Sequence, residues 1–143
     1  MGWTHYWERG TELPKERFAK AAEDCRKVLG ALGVPLADQR GGGMPTLSRE
    51  QITFNGVGGE ACEPFVVRML ETPRRRRNKT YCYCKTERLP YDLCVQVALI
   101  VLKHHLNEAI SVSSDGRDED WEQAREVCRA HLGYGADFTL REG

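Results

Sequence analysis

The run LCVQVALIVL, Leu93 to Leu102, carries one polar side chain, Gln96, in ten residues. A bilayer-spanning helix needs about twenty apolar residues, so a stretch of this length reads as a helix buried in a globular core. With its flanks the helix is expected from about Tyr91 to Leu106, apolar nearly all round, and it therefore needs cover on more than one side. That need selects layered architectures in which sheet and helices share one core. At 143 residues the chain suits a single domain, residues 1–143, burying roughly two thirds of its unfolded surface.

The rest of the pattern supplies the cover. GWTHYW alternates, with Trp3, His5 and Trp7 on one side and Thr4 and Tyr6 on the other, as in a short strand or an aromatic plug over a core edge. From Pro14 onward, Phe18, Ala22, Cys25, Leu29 and Leu32 recur at spacings of three and four, and Gly33 follows as a C-terminal cap of an amphipathic helix. Residues 34–51 combine two prolines with three consecutive glycines and read as a surface loop. ITFNGV, FVVRML and TYCYCKT read as strands. Their short connections favour an antiparallel meander, with residues 71–79 as a basic hairpin loop. AISVSS is a fourth strand, and Trp121, Ala124, Val127 and Cys128 form the stripe of a last helix ending at Gly133. The expected fold class is α+β: a mostly antiparallel sheet of four to five strands, a buried central helix lying across it, and two amphipathic helices.

Lys plus Arg and Asp plus Glu are matched at 21 each, so no global field draws the chain to nucleic acid or to a membrane surface. Any electrostatic function must be local. The opening MGWTHYWERG lacks a basic segment followed by an apolar one, which leads us to expect a cytoplasmic chain with its six cysteines reduced. No cofactor fingerprint occurs, and no cofactor is expected.

The densest chemistry lies in CYCKTERLPYD, Cys82 to Asp92. Lys85, Thr86 and Arg88 sit where a strand ends, and Tyr91 and Asp92 open the buried helix, whose unpaired N–H groups and positive dipole end invite a negative group. VSSDG repeats the arrangement, placing Ser113, Ser114 and Asp115 between a strand and a helix entered near Trp121. If the two strands run parallel, both corners emerge on one edge and form a ligand-binding hollow. Lys85 and Arg88 would supply charge, Thr86 and Ser114 hydrogen bonds, and Tyr91 or Trp121 a stacking face. Asn55, at the end of another strand, joins the candidates, with a turn role as its alternative.

Other readings compete. Cys82 and Cys84 project to one face of a strand and, with His104, form an alternative zinc set, although the spacing is not the usual Cys-x-x-Cys knuckle. Arg74, Arg75, Arg76, Arg77 and Lys79 form a basic knob able to grip nucleic-acid phosphates or an acidic partner, a less favoured reading because the run lacks interleaved aromatics. Ser113 or Ser114 with Asp115 and a histidine could be assembled into a hydrolase site, but no GxSxG elbow is present. A binding protein without a catalytic cycle is therefore expected, self-associating, with a phosphate-bearing, nucleotide-like small molecule or an acidic partner group as ligand.

The motifs FNGVG, CKT with PYD, and VSSDG followed by DW, together with MGWTHYW, give the chain a resemblance to a group of small proteins met in bacteriophages and actinobacterial genomes. The likeness spans Ile52 to Trp121 plus the opening. It nominates Asn55, Lys85, Thr86, Tyr91, Asp92, Ser114, Asp115 and Trp121. It implies an accessory or counter-defence role, through binding a host protein or sequestering a nucleotide signal.

Overall fold

In the computed structural model, which describes residues 2–72 and 79–141, the alternating opening becomes strand β1, Thr4–Gly10. The three-and-four spacing that follows forms helix α1, Lys15–Leu32, which buries Phe18, Ala21, Ala22, Cys25, Val28 and Leu29 and ends at Gly33 with φ of 70°. Glycine adopts that left-handed turn without a Cβ clash. Strands β2 (Thr46–Leu47), β3 (Gln51–Phe54), β4 (Phe65–Arg68) and β5 (Lys79–Lys85) come next. Helix α2 (Asp92–Leu106), strand β6 (Ile110–Ser114) and helix α3 (Glu122–Leu132) complete the order.

The fold is α+β, with three helices and two three-stranded antiparallel sheets among the described residues. This corrects the expectation of one sheet of four to five strands. One sheet has the order β5-β1-β6 and the other β2-β3-β4. β3 and β4 pair as neighbours, but β5 leaves them and pairs with β1, so the three-strand meander does not form. β4 and β5 therefore belong to different sheets, and of the expected hairpin loop at residues 71–79, residues 73–78 lie outside the described residues. The reason lies in β1, which offers two edges. In register, His5 and Trp7 lie opposite Cys84 and Cys82 on one side and opposite Ser114 and Val112 on the other. Paired residues share a face of the sheet, so these six point inward together.

Residues 34–51 are more ordered than a surface loop. They contain β2 and an isolated bridge between Ala37 and Asn55. The Asp38 carboxylate accepts N–H groups from Arg40 (2.9 Å) and Gly42 (3.2 Å), which closes the glycine-rich turn.

α2 is buried continuously from Cys94 to Leu102, and it packs between α1 and α3 and against β6. Its cover is thus mainly helical, in place of the expected meander beneath it. Trp7 of β1, Phe65 of β4 and Phe54 of β3 form a chain of tilted rings 5.1 Å apart that seams the two sheets. At that spacing aromatic pairs add about 0.5–1.5 kcal/mol each beyond simple burial. Among the described residues no helix is long and apolar enough to cross a membrane.

Arg9 is the unexpected member of the interior, at 2% exposure. Its guanidinium donates to the carbonyls of Arg68, Thr11 (3.3 Å) and Met69 (3.2 Å), and its Nε donates to Gly10 O (2.9 Å). A charge in this position is tolerable because carbonyl dipoles replace its water. It also ties the end of β1 to the end of β4. Arg9→Ala removes these bonds and the packing of the buried side chain, although Thr11 O and Met69 O still accept the Glu71 and Leu13 N–H groups, and is expected to lower unfolding free energy by about 2–4 kcal/mol in urea titration.

A second tie joins α1, α2 and the C-terminal segment. Asp24 Oδ2 lies 2.7 Å from His105 Nε2 and accepts the Tyr134 hydroxyl at 2.6 Å. Burial raises the Asp24 carboxyl pKa, but hydrogen bonds from Tyr134 and His105 outweigh it and hold the value below the usual aspartate range. A depressed folded pKa stabilises the fold above the unfolded value and loses that contribution as pH falls through the folded one. Stability should therefore fall more steeply for the wild type than for Asp24→Asn as pH drops from about 5 to 2, measured by urea unfolding at each pH.

Candidate functional site

β5 and β6 both run antiparallel to β1, so their C-terminal ends reach the same edge of the sheet, flanking Thr4 and His5. The two corners come together there, although not as direct neighbours: β1 lies between them and contributes the group that links them.

That group is His5, fully buried. Its Nε2 lies 2.7 Å from Asp92 Oδ1 and its Nδ1 lies 2.7 Å from Ser114 Oγ. Asp92 stands in the first turn of α2, where a carboxylate is favoured by the helix dipole. Its Oδ1 also accepts the Thr86 hydroxyl at 2.5 Å, and its Oδ2 accepts Gln96 Nε2 at 3.2 Å. Gln96, one turn beyond Asp92, is the polar exception in the apolar run, and its position explains it: it satisfies the second carboxylate oxygen inside the core. Ser114 Oγ accepts the Gly116 N–H at 2.9 Å. Trp121, also fully buried, meets His5 edge to face at 5.0 Å and stacks on Phe138 at 5.3 Å. In a neutral imidazole facing an ionised carboxylate, which only accepts, the ring hydrogen lies on Nε2 toward Asp92 and Nδ1 accepts the Ser114 hydroxyl hydrogen.

Outside this relay, the corner becomes polar and partly exposed. Asp115 Oδ2 accepts the Thr4 N–H at 3.0 Å and its Oδ1 accepts the Tyr6 hydroxyl at 3.1 Å. Lys85 Nζ lies 3.3 Å from Glu87, while the Lys85 N–H donates to the Glu63 carboxylate at 2.8 Å. The Arg88 guanidinium lies 3.7 Å from the centre of the Trp3 ring. Reaching it requires an uncommon backbone: Glu87 and Arg88 take φ of 55° and 59°, closed by Leu89 N–H to Thr86 O at 3.0 Å. Two consecutive left-handed residues other than glycine cost about 1–2 kcal/mol each. Trp3 O, which accepts the Thr86 N–H at 3.0 Å, and the cation–π contact hold them there.

The remaining nominated residues divide clearly. Tyr91 is buried and its hydroxyl donates to Glu63 O at 2.6 Å, with Lys85 O at 3.2 Å, so like Trp121 it presents no ring face to solvent. Burial pushes the Tyr91 hydroxyl pKa up. Asn55 lies outside the relay and braces the preceding loop: its Nδ2 donates to Gln39 O and Cys62 O, and its Oδ1 accepts from Gly56 and Cys62. Ser113, opposite Tyr6, faces away from the relay. Lys79 Nζ lies 3.5 Å from Glu8. Arg74, Arg75, Arg76 and Arg77 lie outside the described residues.

The zinc set does not assemble. Cys82 and Cys84 share the inner face of β5, but His104 sits about 18 Å along α2 from Asp92, stacked on Tyr134 at 3.6 Å. Among the described residues no three His, Cys, Asp or Glu side chains gather as a metal shell. Burial raises the Cys84 thiol pKa, which leaves it an inert packing group that donates weakly to Glu63 O at 3.3 Å.

Three participants were missed from sequence: His5, Gln96 and Trp3. A signal existed for the first two, since each is a polar residue on an otherwise apolar, inward-facing pattern. Comparison with protein-family models, with curated proteins and with solved structures finds no match.

The strained turn supplies a test. Glu87→Gly relieves a left-handed residue and is expected to leave stability unchanged or to raise it by about 1 kcal/mol, in contrast to the loss usual for glycine in regular structure. Denaturant midpoints at constant slope would measure it, and a clear loss would show that Glu87 is held by favourable contacts.

Proposed function

We propose that the chain is a binding protein for a nucleotide-like ligand, received on the outer face of β5, β1 and β6 beside the corner. One observation carries the reading. Tyr6, Tyr81 and Tyr83 are 38%, 71% and 64% exposed, and the register places Tyr6 opposite Tyr83 and Glu8 opposite Tyr81, so the three rings share the solvent side of the sheet. Clustered exposed aromatics on a sheet are uncommon on an isolated surface and offer flat faces to a base. Lys85 lies on the same face, opposite Thr4, and Arg88 lies near that end of β1, held over Trp3.

In this arrangement a base stacks on Tyr83 or Tyr6, while Lys85 and Arg88 receive phosphate oxygens by charge-assisted hydrogen bonds. Asp115, held by Thr4 and Tyr6, marks the other margin and suits a ribose hydroxyl or a base N–H. Thr86, Asp92 and Ser114 act from below by fixing the ends of the strands. Tyr91 and Trp121 belong to the support of the site and leave the stacking role to the exposed tyrosines. An accessory role with a host protein as partner belongs to the same proposal on the strength of the motif resemblance, and cytoplasmic location and self-association belong to it as separate expectations.

Thermal-shift and titration calorimetry against nucleoside mono-, di- and triphosphates test it. At least one should stabilise the protein, and Tyr83→Ala should weaken binding by about 1–3 kcal/mol, roughly fivefold to a hundredfold in Kd. Lys85→Ala should weaken it too and flatten its salt dependence. Unmoved melting across the panel, or undiminished affinity in Tyr83→Ala, would overturn the reading.

A further inference from the structure

The relay beneath the sheet has a chemical property that ligand binding on the outer face does not use. Ser114 Oγ, His5 Nδ1, His5 Nε2 and Asp92 Oδ1 form a continuous chain with both links at 2.7 Å. The order carboxylate, imidazole, hydroxyl is that of an activated nucleophile, which is recognised by geometry and role and not by position in the chain. The nitrogens are exchanged relative to the usual arrangement, with the carboxylate on Nε2 and the hydroxyl on Nδ1, and either nitrogen can serve as the base when the other carries the hydrogen.

Three further features distinguish the relay from a simple structural tie. Asp92 is itself fixed by Thr86 and Gln96, so its carboxylate holds one orientation. Ser114 is only half-buried, unlike His5, and sits on the wall of a hollow of about 310 Å³ formed with Gly116, Arg117, Asp118, Glu119, Leu140 and Arg141. Its oxygen gives its hydrogen to His5 and accepts one N–H from Gly116, which leaves a lone pair for attack. The hollow also contains both signs of charge. Arg117 brings positive potential for a developing oxyanion, the Arg141 guanidinium donates to the Ser111 hydroxyl at 3.4 Å, and of the two carboxylates Asp118 is engaged by the Leu140 N–H at 2.8 Å while Glu119 adds a second negative group.

We propose that Ser114 is the nucleophile of an acyl-transfer site, with His5 as its general base and Asp92 as the residue that positions His5. The substrate class is a small carboxylic ester, in keeping with the size of the hollow. Ser114 Oγ forms a bond to the carbonyl carbon as its proton passes to His5 Nδ1. The tetrahedral adduct then expels the alcohol, which leaves with that proton. Water, deprotonated by His5, attacks the acyl-serine and releases the carboxylic acid, returning the proton to Ser114. No oxidant, reductant or metal is required.

The full chain is incubated with 4-nitrophenyl acetate and, separately, with a fluorophosphonate, and the products are followed by intact mass and peptide mapping. A single adduct on Ser114 is expected, absent from Ser114→Ala. Asp92→Asn, shown to be folded by circular dichroism, should form it at least about a thousandfold more slowly. A second measurement does not depend on that variant folding. Ser114→Cys should alkylate with iodoacetamide at lower pH than Ser113→Cys, because only the former has an imidazole base beside it. No adduct on Ser114 in the folded protein, equal labelling of Asp92→Asn, or coincident pH profiles of the two cysteine variants would each overturn the proposal. None of these readouts involves the tyrosine face, so the nucleotide reading stands or falls separately.

Discussion

A fully buried imidazole with both nitrogens hydrogen-bonded is the point on which the corner of this molecule depends. His5 joins β1 to the start of α2 and to the end of β6, partners that lie 87 and 109 residues away along the chain. A polar ring taken out of water must recover its hydrogen bonds inside the protein, and here it recovers both from groups that are themselves anchored. The alternation of β1 brings His5 inward, and the antiparallel register on both sides decides what it meets.

The same register separates two chemistries by the thickness of one sheet. Inward-facing positions of β1 hold His5, Trp7 and Arg9, all buried, whereas outward ones hold Thr4, Tyr6 and Glu8. Below the sheet His5 bonds at 2.7 Å to two anchored partners and Arg9 to backbone carbonyls, although the buried Trp7 indole N–H has no partner among the described residues, while hydrogen bonds above the sheet, such as Tyr6 to Asp115, engage exposed side chains. The period-two geometry of a strand therefore gives adjacent residues opposite surroundings: a buried, hydrogen-bonded interior on one face and solvent on the other. Raised thiol pKa values fit this division, since burial drives Cys94 and Cys128 up to about 12 and leaves them as packing groups in the helical layer.

Much of the local structure was legible in the sequence. α1 and α3 follow their apolar spacing and glycine stops, α2 follows its apolar run and ends at Asn107, and the longer strands fall close to where alternation and turn residues put them. What could not be read was partnership. TYCYCKT has one pattern whether it pairs with FVVRML nearby or with THYWERG at the start of the chain, and the second pairing wins because β1 offers it an inward face of matching register. The site divides in the same way. Thr86, Asp92 and Ser114 stood out by residue type at strand and helix ends, but His5 could be recognised as their link only once β1 was placed between β5 and β6. Tyr91 and Trp121 looked like stacking faces because aromatic residues beside polar motifs read alike whether exposed or buried.

The central place of β1 also bears on how the molecule is made. A strand whose two neighbours come so much later in the chain has both hydrogen-bonding edges open until β5 and β6 have been made. Contacts of such long sequence separation lower folding rates, because loop-closure entropy is lost before the pairing energy is gained. The sheet can close only after β6 has left the ribosome. Until then the nascent chain presents an edge that chaperones, or other copies of itself, can occupy.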